Sequence, residues 1–304
     1  MRNQAATELA PPHFQIGLLL AIVSTALFAF KAIFIKLAYL QNVDTVTLLT
    51  LRMLVSMPVY LGVLGWTLMT KPIIRPSVGD LLSIMGLGFI GYYVASWMDM
   101  QSLHYISAQL ARLTLYTYPV MTTLLGWLLL REAITLRILL ALLLTYSGVI
   151  VLYAHEAQQL GGNNVSLGVA LVAGAALVFS FYVVLSKRLI SLFGSALFTS
   201  IVMLTSTLCI SIHFAVTHPF SALLVNANAW VYATLLGIVS TVIPSFMMSE
   251  AISRIGPART SIVGTSGPII TILLSVVVLD EAFGWPHLAG MLLVIAGVSL
   301  LGKK

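Results

Sequence analysis

The chain has 304 residues, of which 60% are hydrophobic and only 8% are Asp, Glu, Lys or Arg, with a formal net charge of +6. A water-soluble domain carries about 25% charged residues, so most of this surface cannot face water. The basic residues are scattered through short separators rather than gathered in a patch, which gives a nucleic-acid partner no footing.

In chain order, the opening MRNQAATELA lacks a basic stretch feeding a short apolar run and a cleavage site, so it does not read as a signal peptide. Residues 1–16 are expected to form a cytoplasmic tail. Ten apolar runs follow, at roughly 17–38, 46–68, 80–100, 107–129, 136–153, 167–189, 195–216, 230–251, 257–279 and 286–301. Each is near the ~20 residues that cross a bilayer, and backbone pairing in hydrocarbon makes each one a helix. The separators carry charge, Pro, Gly or Asn; the longest polar one, HEAQQLGGNN at 155–164, lies at the midpoint.

Lys and Arg cluster in alternate flanks. With the N-terminus inside, the inner flanks hold Arg75, Arg131, Arg137, Lys187, Arg188, Arg254 and Arg259 among others, while the outer flanks hold only Lys36. The bias toward cytoplasmic cations therefore predicts both termini inside.

The two halves can be superposed. YPVMTTLLGWLLLREA from Tyr118 lies on GPIITILLSVVVLDEA from Gly267, which matches Pro119 to Pro268 and Glu132 to Glu281. The same register, without a gap, brings Gly148 onto Gly297. FAFKAIFIK from Phe28 resembles FSFYVVLSK from Phe179, with a slip of two residues. Five spans per half is an odd number, so the second half enters the membrane from the opposite side. The expectation is an all-α polytopic membrane protein: a five-helix repeat over 17–153, an external linker over 154–166, and an inverted five-helix repeat over 167–304. Inverted repeats point to a transporter whose site lies between them; a duplicated membrane protein that transports nothing is the other reading.

Pro119 and Pro268, with Pro244, are expected to kink their spans, removing an amide and opening a widening for the site; a tolerated kink is the structural alternative. Lys31, Arg52 and Arg112 lie within spans, each roughly 8–10 Å from an outer helix end at 1.5 Å per residue. They read as snorkelling anchors, as partners of Asp99 and Asp44, or as cations that hold a substrate carboxylate. Lys31 faces Tyr182 in the aligned half, so the internal symmetry breaks there. Tyr92, Tyr93, Trp97, Tyr116, Tyr118 and Tyr182 lie deep enough to line an apolar cavity, and Ser107, Ser245, Thr265 and Ser266 add hydroxyls that also serve helix packing. Trp66, Trp127, Trp230 and Trp285 read as interfacial anchors. The glycines of GLGFIG from Gly86 and GVALVAG from Gly168 permit close helix approach; no strand precedes either, and no Walker-type lysine follows, so nucleotide hydrolysis is not expected. One cysteine, Cys209, and six dispersed histidines suggest no disulfide and no metal centre. No cofactor is expected. No cluster of acids or histidines at one depth suggests an enzyme.

The doubled Pro119–Glu132 and Pro268–Glu281 ends, the closing Gly148 and Gly297, and the ten-span plan over about 15–302 resemble the EamA family of the drug/metabolite transporter superfamily. Within it, the chain is similar to bacterial aromatic amino acid exporters. The resemblance implies a multi-pass protein of the inner membrane, acting as a monomer or weak homodimer in the lipid bilayer. It implies export of amino acids, aromatic and apolar ones first, by alternating access, through a site lined mainly by helices one, three, four, six, eight and nine. Another metabolite or drug, and a non-transporting scaffold, remain the alternatives. Small drug exporters of the superfamily carry a glutamate deep in the first helix; span one here has no acid, so proton coupling at a central carboxylate is not expected.

Overall fold

The computed structural model describes residues 12–70, 76–130, 135–264 and 266–302; Glu132 and Thr265 lie outside them. All regular structure among the described residues is helical. The first half runs α1 Pro12–Tyr39, α2 Thr45–Thr70, α3 Val78–Gly88, α4 Ala95–Ser102, α5 Ala108–Leu115, α6 Tyr118–Leu130 and α7 Leu136–Leu160. The second runs α8 Gly162–Phe193, α9 Ser195–Thr217, α10 Ala227–Gly237, α11 Ile243–Gly264, α12 Gly267–Leu279 and α13 Trp285–Gly302. Among the described residues, seven helical rods are long and apolar enough to cross a membrane, with α12 and most of α13 as shorter apolar helices.

Local chemistry sets the helix ends. Asp44 Oδ1 accepts the amides of Val46 and Thr47 at the start of α2. Ser77, Ser107, Thr135 and Asn226 cap α3, α5, α7 and α10 through their side chains, each satisfying an amide that has no partner within its own helix. The polar stretch at 155–164, read from sequence as a loop, is helical on both sides of Gly161, whose φ of +88° alone separates α7 from α8. Gly194, at φ +80°, separates α8 from α9 in the same way. Glycine reaches this region without Cβ strain.

Departures from the α-helix recur at a constant offset of 149 residues. Six-residue π-helical Phe89–Val94 joins α3 to α4, and Ile238–Val242 joins α10 to α11. A non-helical break ends α5 after Leu115 and a new helix starts at Tyr118; α11 ends at Gly264 and α12 starts at Gly267. Before that, α11 is interrupted at Gly256 (φ +80°, ψ 162°), the position that aligns with the N-cap Ser107. Packing recurs too. α2 lies against α9 and α7 against α13; α1 packs on α11 and α12, while α8 packs on α4, α5 and α6.

Pro119 and Pro268 therefore do not bend continuous helices, whereas Pro244 lies within the continuous rod Ala227–Gly256. Pro119 and Pro268 each sit second in a new helix, in the first turn, where a missing amide costs nothing because it would be unpaired anyway. Pro244 is second in α11, directly after its π segment. Gly86, read as a close-approach glycine, faces open space; Gly88 and Gly91 make that approach, against Val202 of α9 and Tyr182 of α8. Trp66, Trp127, Trp230 and Trp285 are exposed near helix ends.

Candidate functional site

The middle of the bundle encloses a cavity of about 120 Å³. Its walls come from α1 (Thr25, Phe28, Lys31), the π segment and α4 (Gly91, Tyr92, Ala95, Ser96, Asp99), α5 and its break (Arg112, Leu115, Tyr116), α6 (Tyr118), α8 (Ala175, Phe179) and α11 (Met248, Gly264).

Helical phase brings these groups together. Tyr92, Ala95, Ser96 and Asp99 share a face through the i, i+3, i+4, i+7 spacing. Tyr93 and Trp97 fall on the other face, where both meet His213 of α9: Tyr93 Oη lies 3.0 Å from His213 Nδ1, and the Trp97 and His213 rings are 6.4 Å apart. Trp97, expected from its depth in the sequence to line the cavity, thus lies outside it.

Asp99 is the hub. Lys31 Nζ donates to its Oδ2 at 2.9 Å, and Arg112 donates to its Oδ1. The side chains of Asp99 and Arg112 are 2% and 4% exposed and that of Lys31 is 14% exposed, so all three are largely shielded from solvent. Two cations therefore share one carboxylate in a site sheltered from water, where charge interactions are strong. Arg112 Nε is buried with no partner among the described residues, and so is the Thr25 hydroxyl on the cavity wall. Arg52 is 1% exposed and makes no ion pair with a described residue; its NH2 group reaches only Met53 Sδ, at 3.5 Å. Asp44, considered from sequence as a cation's partner, instead lies 3.3 Å from His218.

The rest of the wall is aromatic. Tyr116 and Tyr118 have ring centres 6.2 Å apart, and Tyr118 meets Phe179 edge-on at 5.3 Å. Tyr182 is not part of the lining. It backs it, stacking on Phe179 at 5.5 Å and meeting Tyr92 edge-on at 5.2 Å. Two glycines give this group its room: a Cβ on Gly264 would stand 3.2 Å from Tyr118 Oη, and one on Gly267 would collide with Tyr116 Oη.

The remaining sequence candidates take structural contacts. Ser245 Oγ pairs with Tyr60 Oη at 3.0 Å, and Ser266 donates to Val263 O. Ser107 caps α5 and donates to Glu156. The break before Pro119 does not leave the Tyr118 carbonyl free, because Ser180 and Thr122 both donate to it. Sequence reasoning did not single out Thr25, Phe28, Ser96, Phe179 or Met248 for the lining. Asp99, near the end of span three and buried between two cations, sets the phase from which Ser96 and Tyr92 follow.

A second void of about 470 Å³ opens at the end of the bundle where α1, α4 and α12 finish. Lys36, His104, Gln109, Glu156, Glu281 and His287 are among its lining residues. Each helix of the ion triad continues into it: Lys31 to Lys36 on α1, Asp99 to His104 beyond α4, and Arg112 back to Gln109 on α5. Five residues of helix is about 7–8 Å, so the triad lies between the central cavity and this vestibule. Burial pushes the His104 imidazole below its ordinary value, so His104 adds no positive charge there at neutral pH.

Glu281 was expected at the end of its own span, and it does not cap that helix. It crosses to α5, accepting from Ala108 N at 2.8 Å and Gln109 N at 3.4 Å, with Lys36 Nζ 3.4 Å away.

The EamA-like transporter family model matches this chain over residues 15–154 and again over 166–303. An uncharacterised transporter of Bacillus subtilis (strain 168), YcbK, is 26% identical over 95% of this chain and 95% of its own. An uncharacterised transporter of Synechocystis sp., sll1319, is 24% identical over 95% of this chain and 94% of its own. A solved crystal structure superposes with a TM-score of 0.69 at 16% identity, covering 93% of this chain and 94% of that one, which speaks to the fold alone.

Proposed function

The chain belongs to the EamA-like transporter family, and on that premise we propose that it exports amino acids with aromatic or apolar side chains across a bacterial inner membrane by alternating access. One observation carries the reading: the central cavity sets a carboxylate with two cations directly beside an aromatic wall. An α-amino acid is a zwitterion with an attached side chain. Its carboxylate suits Arg112, whose Nε is unpartnered among the described residues, and Lys31; its ammonium suits Asp99; its side chain suits Phe28, Tyr92, Tyr116, Tyr118 and Phe179. Arg provides a planar fork for a carboxylate, which a point-charge lysine does not. Arg52, buried outside the cavity lining and without an ion pair among the described residues, adds a third cation to the electrostatic surroundings of Asp99 and favours a second reading, a more anionic metabolite.

The transport cycle follows from the plan of the chain: ten membrane helices, both termini inside, in two inverted repeats over 17–153 and 167–304. Support for the repeat lies in the family match falling in two stretches, in π segments and helix breaks that recur at one offset, and in reciprocal packing of α1 and α8 on the opposite half. Such a molecule has two related packings, which exchange which face of the central cavity is open.

The test is uptake of labelled phenylalanine into proteoliposomes holding the purified chain, competed by a panel of other amino acids, sugar phosphates and organic cations, with and without a pH gradient. Competition confined to apolar and aromatic amino acids is the expected result. Competition by sugar phosphates alone would replace the amino acid with the anionic metabolite, and no uptake of any solute would remove the transport reading.

A further inference from the structure

The vestibule reverses the electrostatics of the central cavity. Its two carboxylates, Glu156 and Glu281, face one lysine, Lys36. Main-chain groups hold both carboxylates in place. Glu281 takes the amides of Ala108 and Gln109, and Glu156 takes the amide and hydroxyl of Ser107. Ser107 Oγ takes the amide of Leu110. All four amides at the start of α5 are thus satisfied, by one side chain from each half of the molecule and by the cap. A carboxylate offers about four acceptor positions, so neither is saturated.

Gln109 supplies an independent observation. It is 0% exposed and lines the vestibule; its Nε2 donates to Ala282 O at 3.1 Å, while its Oε1 is buried with no donor among the described residues. A buried acceptor left unmade is costly, and such orphans call for an explanation. What fits this one is a ligand N–H. An ammonium has three donors, and the two nearby carboxylates disfavour an anion.

We propose that the vestibule is a second solute station, which binds a primary ammonium group through Gln109 Oε1, Glu281 and Glu156. Lys36 Nζ, 3.4 Å from Glu281, is a resident ammonium that the solute's own displaces. The identity of the solute as an amino acid rests on the reading above; the geometry of the station does not. Gln109 and Arg112 are three residues apart on α5, a rise of about 4.5 Å. A zwitterion can therefore pass from a site that selects its carboxylate to one that selects its ammonium.

The probe is n-propylammonium, with propionate as its isosteric anion, each titrated into the purified full-length protein while thermal unfolding is followed. The expected result is that n-propylammonium protects the wild type, and that Gln109→Met shifts the protecting concentration upward about tenfold, the size of one lost hydrogen bond to a charged group. Gln109→Asn, which keeps the amide but withdraws it by one methylene, supplies the same readout should the Met variant fold poorly. Propionate protection is expected to fall in Arg112→Gln and to persist in Gln109→Met. The station is overturned if n-propylammonium fails to protect the wild type, or protects both Gln109 variants equally well. Loss of propionate protection in no variant would count against the central carboxylate site instead, leaving the vestibule result to stand by itself.

Discussion

Two helix breaks at equivalent places make opposite contributions to the site. Around the break that ends α5 the chain contributes bulk and charge, with Arg112, Tyr116 and Tyr118 all on the cavity wall. After α11 it contributes room: Gly264 and Gly267 stand where any side chain would meet the hydroxyls of those tyrosines. The backbone device is shared, a helical stretch of eight residues (all of α5, and the part of α11 after Gly256), a break, and a new helix with proline second. The side chains are not shared. A symmetric scaffold is useful for exchanging two conformations, whereas an asymmetric solute needs asymmetric walls. The two breaks show both requirements met on one backbone plan.

The largest effect should come from the side that contributes charge. Asp99→Asn leaves Lys31 and Arg112 facing each other in a buried site without their carboxylate. Removing one member of a buried ion pair costs about 3–5 kcal/mol, so thermal melting in detergent should drop by more for this variant than for any other discussed here, and transport should be lost. A melting temperature unchanged from the wild type would mean that water, not Asp99, solvates the two cations.

The side that contributes room should respond next. Gly267→Ala places a methyl where Tyr116 Oη lies, and overpacking of this kind costs about 1–3 kcal/mol. Tyr116 is then pushed into the cavity and transport falls. Tyr116→Phe in the same chain removes the colliding atom and should restore much of the rate. If the double variant is no better than Gly267→Ala alone, the glycine serves the backbone and not the tyrosine.

The smallest effect is expected from what the two breaks share. Pro119→Ala and Pro268→Ala each restore an amide in a first helical turn, where amides have no partner within the helix. Stability should change by less than about 1 kcal/mol, while transport kinetics change severalfold because the break is less fixed. Unchanged kinetics in both variants would reduce the prolines to tolerated helix starts.

Much of this plan was legible in the sequence, and the reason is physical. Long uncharged runs have few options in lipid, and the Pro119/Pro268 register located both breaks, because proline and its preceding residue constrain the backbone whatever surrounds them. Helix rotation was harder to read. Lipid and protein interior are both apolar, so the hydrophobic face of a membrane helix does not announce which side is buried. Tyr92 and Tyr93 looked alike in sequence, yet one faces the cavity and the other faces His213. Tyr182 and Ser245 were assigned to the lining, yet Tyr182 lies one ring behind the wall and Ser245 pairs with Tyr60. The cross-half reach of Glu281 to α5 was out of view because it joins residues 173 positions apart. Asp99 would have resolved the phase of its helix, since a buried acid in lipid must face a partner.

The central claim, that the cavity selects a solute by its carboxylate at Arg112, can be tested with two molecules. Phenylalanine and phenethylamine share the ring and the ammonium and differ by the carboxylate. Their apparent affinities, measured side by side as competitors in proteoliposomes, should favour phenylalanine at least tenfold in the wild type, and that preference should collapse toward unity in Arg112→Gln. A preference that survives intact in a folded Arg112→Gln protein would contradict the account.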